Sequence, residues 1–296
     1  MVIARILLTL FLIFCCWGHP APAGPSTDCP EELPPVETAL HRVMVKAQDR
    51  MQSGDHEEAL DLLDEYAREN PSKTHPYLAF LRGLCHYRLG NLEKAGAYFT
   101  DAIELHRCFG EAWQDLANVR YRQNRPAEAA EAMEQAALLL PSQKPELQYQ
   151  AALFRLQAQE PQKALSLLQA LSERKDPHPK WILALARVQE QMGAQKRAAK
   201  TLERGEAHPE PEWLILLGLT YERLKRPEKA VEVMARVNLE DSSVSSEMRL
   251  QAALFWMRRK NPEQALPVLK ELCQGPRKAK ACRVALVKGL VETGRL

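Results

Sequence analysis

From Leu40 to the C-terminus the chain repeats one arrangement of small, apolar and polar positions seven times. Each copy holds a polar turn segment closed by an alanine: Gly54-Asp-His-Glu-Glu-Ala59, Gly90-Asn-Leu-Glu-Lys-Ala95, Asn124-Arg-Pro-Ala-Glu-Ala129, Gln159-Glu-Pro-Gln-Lys-Ala164, Gly193-Ala-Gln-Lys-Arg-Ala198, Lys225-Arg-Pro-Glu-Lys-Ala230 and Lys260-Asn-Pro-Glu-Gln-Ala265. The closing alanines are 36, 34, 35, 34, 32 and 35 residues apart. Twelve residues before each stands a small residue: Ala47, Gly83, Ala117, Ala152, Ala186, Gly218 and Ala253. Four residues after it stands a large apolar one: Leu63, Phe99, Met133, Leu168, Leu202, Met234 and Leu269. Small residues on two successive helices let their axes approach, and the large side chain fills the groove toward the next copy. The pattern therefore predicts two antiparallel helices per copy. Gly54, Gly90 and Gly193 supply a turn that tolerates positive φ, while Pro126, Pro161, Pro227 and Pro262 stand at the start of the second helix in the other copies.

The N-terminus follows another pattern. Arg5 precedes a run from Ile6 to Trp17 that is apolar except for Thr9, and His19-Pro-Ala-Pro-Ala23 ends in an Ala-x-Ala site before Gly24. A helix of this run rises only about 18 Å, short of the ~30 Å hydrocarbon core, so a secretory signal over residues 1–23 is expected rather than a membrane span. A Pro/Ser-rich leader without apolar period follows over residues 24–39. The alternative is a lipid anchor on Cys15 or Cys16; the residue before such a cysteine is normally small, and here it is Phe14 or Cys15.

A period of this length with these positions filled resembles the tetratricopeptide repeat family. The third copy is nearest its pattern, with Trp113, Leu116, Ala117, Ala129, Ala136 and Pro141; the sixth follows with Leu217, Gly218, Tyr221 and Ala230. The resemblance implies an all-α fold, a right-handed α-solenoid of about seven helix pairs over residues 40–296. The repeats fall near 40–73, 76–109, 110–143, 145–178, 179–210, 211–245 and 246–279, with a polar C-terminal capping helix over 280–296. It also implies a concave groove lined by the first helix of each pair. Carried over residue by residue, that groove takes Tyr77, Phe80, Leu84 and Tyr87 from the second repeat, Gln114, Asn118 and Tyr121 with Arg122 from the third, Tyr149 and Leu153 from the fourth and Arg187 from the fifth. Later repeats contribute Ile215, Leu219, Leu250, Leu254 and Met257, an aliphatic continuation. An apolar groove with Asn118, Arg122 and Arg187 to fix polarity suits an extended peptide or a helix.

Composition narrows the alternatives. Lys and Arg number 40 against 38 Asp and Glu, a formal net charge of +2, which argues against an extended basic face for nucleic acid. Six Ile, eight Thr and fourteen Val are few beside the strong helix formers. The sequence holds no phosphate-cradling glycine loop and no nucleophile elbow, and His56-Glu57-Glu58-Ala59-Leu60 has Leu where a second zinc ligand would stand. Cys85, His86, His106 and Cys108 form a metal quartet on paper, but they belong to different elements that should not converge. No enzyme activity, metal or cofactor is expected.

Five of the seven cysteines lie beyond the signal: Cys29, Cys85, Cys108, Cys273 and Cys282. Cys273 and Cys282 flank a tight connection, where either a disulfide or two buried thiols would fit. The expected function is a non-enzymatic, exported, periplasmic scaffold that binds a protein or peptide partner, a component of a cell-envelope complex. The plan resembles the exported repeat proteins that accompany TonB-type energy-transduction systems, with Trp181 and Trp213 near the start of late helices. The alternative is a peptidoglycan- or polysaccharide-associated protein in which Tyr77, Tyr87, Tyr121 and Tyr149 stack on sugar rings.

Overall fold

A computed structural model describes residues 33–204, 210–239, 241, 244–273 and 280–293. The expected signal, with Cys15 and Cys16, and the leader up to residue 32, with Cys29, lie outside the described residues. The described residues form fifteen α-helices and no strand: α1 (Thr38–Gln52), α2 (His56–Glu69), α3 (Pro76–Arg88), α4 (Leu92–Leu105), α5 (Gly110–Arg122), α6 (Pro126–Leu139), α7 (Lys144–Gln157), α8 (Pro161–Ser172), α9 (Pro179–Gln191), α10 (Gln195–Arg204), α11 (Pro211–Arg223), α12 (Pro227–Met234), α13 (Ser246–Arg258), α14 (Pro262–Cys273) and α15 (Lys280–Glu292). They fall into two compact units, one ending at Ala112 and the other beginning at Trp113. In each unit an odd-numbered helix turns back into the following even-numbered one, and the pairs stack as an α-solenoid.

Burial follows the repeated pattern closely. All seven turn-closing alanines are completely buried, as are all five upstream alanines, the other two upstream residues being Gly83 and Gly218, and the large residues four places on are exposed by 1% or less. Each such Leu, Met or Phe contributes roughly 1.5–3 kcal/mol on leaving water, so the repeated positions carry much of the core.

The turns are also alike in backbone. In every pair the residue before the N-cap of the second helix has positive φ: Gly54 (88°), Gly90 (80°) and Gly193 (73°), but also Asn124 (59°), Gln159 (60°), Lys225 (58°) and Lys260 (56°). Its amide donates three residues back, as from Asn124 to the Tyr121 carbonyl at 2.9 Å, and the next amide donates five back, as from Arg125 to Arg120 at 2.9 Å. This pair of bonds closes the last carbonyls of the first helix around one left-handed residue. Proline at the start of α6, α8, α12 and α14 occupies a place whose amide has no helical partner.

Buried polar groups tie neighbouring elements. Arg155, on α7, is buried between Glu134 at 2.8 Å and Glu160 at 2.6 Å. Arg249, on α13, donates to the Leu239 carbonyl at 2.7 Å and grips Glu271 with both terminal nitrogens. Trp213 is buried and donates its indole N–H to the Leu202 carbonyl at 3.0 Å, and Trp181 is buried as well, so both late-helix tryptophans are packing residues. Cys273 and Cys282 are joined in a disulfide between the end of α14 and the start of α15, Cys108 is disulfide-bonded too, and Cys85 is a buried free thiol.

Two expectations need correction. The aliphatic continuation along the later first helices is mostly interior: Ile215, Leu219 and Met257 are buried, because α11 and α13 are packed on several sides. The capping helix is not polar outside, since α15 exposes Val284, Val287 and Val291.

Candidate peptide-binding face

In the first unit, the residues expected in a groove are partly committed to packing. Phe80 is only 8% exposed and lies 4.8 Å from the Phe109 ring centre and 5.7 Å from that of Phe99. Tyr77 is half-buried and stacks on Phe109 at 5.7 Å. Beside it, a cavity of about 460 Å³ is lined by Leu33 to Val36, by Met44 and Val45 of α1, and by His75. The His75 Nδ1 accepts from the Tyr77 amide at 3.1 Å, which leaves the proton on Nε2 to donate to the Pro34 carbonyl at 3.0 Å. The entry segment is thereby fastened over part of the surface that Tyr77 was expected to offer. Leu84 and Tyr87 are half-buried on the same helix.

The second unit brings its expected residues together more openly. Tyr121, near the end of α5, is 41% exposed, stacks on Phe154 of α7 at 4.8 Å and accepts a hydrogen bond at its hydroxyl from the Gln157 amide at 3.1 Å. Leu153, one residue from Phe154, is 38% exposed. Gln114 and Asn118 are half-buried on α5, and Arg122 is exposed at its end. On α7, the ring of Tyr149 carries the Lys180 ammonium at 5.0 Å, and Lys180 also pairs with Glu146 at 2.8 Å. Tyr149 is thus half-covered by a cation from α9.

Beyond α7 the same face becomes charged. Arg187 is exposed and pairs with Glu212 at 2.9 Å; Arg223 pairs with buried Glu190; Arg258 pairs with Glu222 at 2.6 Å. A cavity of about 640 Å³ opens here among Arg187, Glu190, Arg223, Glu247 and Gln251, and a smaller one of about 180 Å³ among Leu219, Glu222, Leu254 and Arg258. Most of these bridges join residues one repeat apart: Tyr121 to Gln157, Glu146 to Lys180, Glu190 to Arg223, Glu222 to Arg258. Each ties one odd-numbered helix to the next.

Phe154, Gln157, Lys180, Glu146, Arg223 and Arg258 were not anticipated from the sequence. The signal that finds them is a complementary pair offset by one repeat period, which the family's groove positions do not include. Of the paper metal quartet, the Cys108 sulfur is taken by a disulfide, and among the described residues no three His, Cys, Asp or Glu side chains gather as metal ligands. No described helix is long and apolar enough to cross a membrane.

Residues 44–107 and 114–179 match the tetratricopeptide repeat family model, one stretch in each unit. Over those two stretches, short of half the chain, the sequence is similar to tetratricopeptide repeats. Solved structures agree at the level of fold. A tetratricopeptide repeat protein from Parabacteroides merdae superposes with a TM-score of 0.53 at 15% identity, covering 84% of this chain and 98% of that one. The C-terminal part of a repeat-containing protein from Cytophaga hutchinsonii gives 0.58 at 12%, covering 82% and 99%. The Naa15/Naa10 assembly bound to HypK gives 0.53 at 15%, covering 86% of this chain and 39% of that one. No curated protein matches the sequence. A tetratricopeptide repeat fold suggests a protein-interaction scaffold, and on this one the α5–α7 face offers the exposed apolar anchors.

Proposed function

We propose that this chain is a non-enzymatic periplasmic adaptor that holds an extended peptide or a helix of a protein partner along the α5–α7 face and so organises a cell-envelope complex, a TonB-type system being the assembly its plan resembles. The observation that carries the reading is exposed Tyr121 stacked on Phe154 and held by the Gln157 amide at its hydroxyl, with exposed Leu153 next to Phe154 on the same helix. Aromatic anchors on a preorganised surface bind with little further loss of conformational freedom. The stretch of Arg–Glu pairs from Arg187 to Arg258 then distinguishes the two ends of the partner, since a bound chain meets paired charges at one end and apolar surface at the other.

The test replaces Leu153 with a photoreactive residue in the native host and follows fractionation and crosslinking together. A periplasmic protein crosslinked to one envelope-complex component, with the adduct lost in Tyr121→Ala while circular dichroism shows the helical fold retained, is the expected outcome. Retention in the cytoplasm rejects the localisation, and adducts with peptidoglycan alone reject the protein partner in favour of a wall-binding role.

A further inference from the structure

The second helices of the repeats carry charge on their outer faces, and two of them carry it in opposite sign at the same places. Counted from the turn-closing alanine, these places are two and one residues before it and two and six residues after it. On α2 they hold Glu57, Glu58, Asp61 and Glu65; on α10 they hold Lys196, Arg197, Lys200 and Arg204. All eight side chains are exposed. In the other five repeats the same places are mixed in sign or partly uncharged, as with Glu93, Lys94, Ala97 and Asp101 on α4 and Glu228, Lys229 and Glu232 on α12. At about 100° per residue the four places fall within an arc of roughly 100°. That arc lies opposite the side that buries Ala59 and Leu63 on α2, and Ala198 and Leu202 on α10.

The charges are largely uncompensated. Glu58 pairs with Arg50 at 3.3 Å, whereas the side chains of Glu57, Asp61 and Glu65 and of all four basic residues on α10 have no ion-pair or hydrogen-bond partner. Like charges four residues apart on a helix repel, so each row destabilises its own helix and is relieved by a surface of the other sign. Nearby groups do little to neutralise them. On α10, Glu203 flanks the row but accepts from the Tyr221 hydroxyl at 2.7 Å, and Glu206 follows only after the helix ends. On α2, Asp64 pairs with Arg82 at 2.6 Å, and Arg68 stands about one turn beyond Glu65.

We propose that α2 of one copy of the chain docks along α10 of another, acidic row against basic row. The two rows match in spacing as well as in sign. Laid antiparallel, Glu57, Asp61 and Glu65 meet Arg204, Lys200 and Lys196 at the same four-residue step, and Arg68 falls against Gly193, which brings no charge. An anionic lipid surface or an acidic partner protein would answer α10 alone and leave the acidic row of α2 repelled or unused. A second copy answers both. The contact is heterologous, so copies add one after another until a ring closes. Because every pair is exposed, the association weakens as salt rises. Neither row belongs to the α5–α7 face, and the proposal is independent of the function proposed above.

The test is sedimentation of the full chain beside two charge-reversed variants, Glu57→Lys/Asp61→Lys/Glu65→Lys and Lys196→Glu/Lys200→Glu/Arg204→Glu. The parent is expected to form concentration-dependent species larger than a monomer at about 50 mM salt, and to lose roughly tenfold in association constant at about 500 mM. Each variant alone is expected to stay monomeric, the first having two basic rows and the second two acidic ones. An equimolar mixture of the two associates again, and so does a chain carrying all six reversals. Circular dichroism melts identify a variant that fails to fold, in which case Asp61→Lys and Lys200→Glu, at the centres of the rows, repeat the exchange. A parent that is monomeric at low salt overturns the proposal, as do variants that self-associate like the parent or a mixture that stays monomeric. So does binding to phosphatidylglycerol vesicles that is tighter than self-association and is lost in the α10 variant.

Discussion

Gly83 and Gly218 occupy the same place in two repeats, yet the residues they face differ in how far they can yield. A Cβ on Gly83 would lie 2.7 Å from Cε1 and 2.8 Å from Cδ1 of Phe99, a fully buried ring with no room to turn. At Gly218 the nearest atoms are Cγ and Sδ of Met234, at 2.6 and 3.0 Å, on a chain that can take another rotamer. Alanine gains about 1 kcal/mol over glycine in a helix, and overpacking costs roughly 1–3 kcal/mol. Gly83→Ala is expected to lose about 1–2 kcal/mol in urea unfolding, while Gly218→Ala stays within about 1 kcal/mol of the parent. Both glycines were legible in the sequence as close-approach positions; the difference between them was not, because it depends on the partner's freedom. His86 is a second case. Buried and stacked on Tyr98 at 5.3 Å, it is held below the usual histidine pKa by burial first and by the Lys94 and Arg82 charges after it, with Asp64 opposing. The unfolded chain accepts a proton near 6.5 that the folded one refuses, so stability is full above that value and falls as pH drops through it toward the depressed pKa. Thermal melts between pH 7.5 and 5 are expected to show this loss, and His86→Phe to flatten that part of the profile.

At the scale of the element, one turn serves all seven pairs, although only three of them announce it with glycine. Gln159, Lys225 and Lys260 sit at positive φ, where a side chain costs roughly 1–2 kcal/mol. Glycine removes that strain and adds roughly 0.5–1 kcal/mol of unfolded-state entropy. Gln159→Gly and Lys225→Gly are each expected to raise stability by about 0.5–1 kcal/mol, and Asn124→Gly by less, since asparagine tolerates this region better; equilibrium unfolding of the single variants checks the order. The sequence hid these positions because proline two residues later starts the second helix and draws the eye from the residue that makes the turn. In the same way, the period and the small residues made the helix pairs readable, while the ties between odd-numbered helices were not, because they join residues a whole repeat apart.

At the scale of the whole molecule, the repeated core positions account for the fold almost completely, and the binding face only in part. Tyr121 and Leu153 are exposed, whereas Phe80 went to the interior because Phe109 and Phe99 close around it. Which aromatic side is buried depends on neighbours that no single repeat contains. The bond between Cys273 and Cys282, nine residues apart, has a further consequence that concerns copies of the chain rather than its stability. A helix joined to its neighbour by a short connection is a piece a repeat protein can lend to a neighbouring copy, docking in the other's place. With the start of α15 fixed beside the end of α14, the two helices cannot part company while the bond is intact. In an oxidising compartment each chain keeps its own α15, and exchange between copies waits on a reductant.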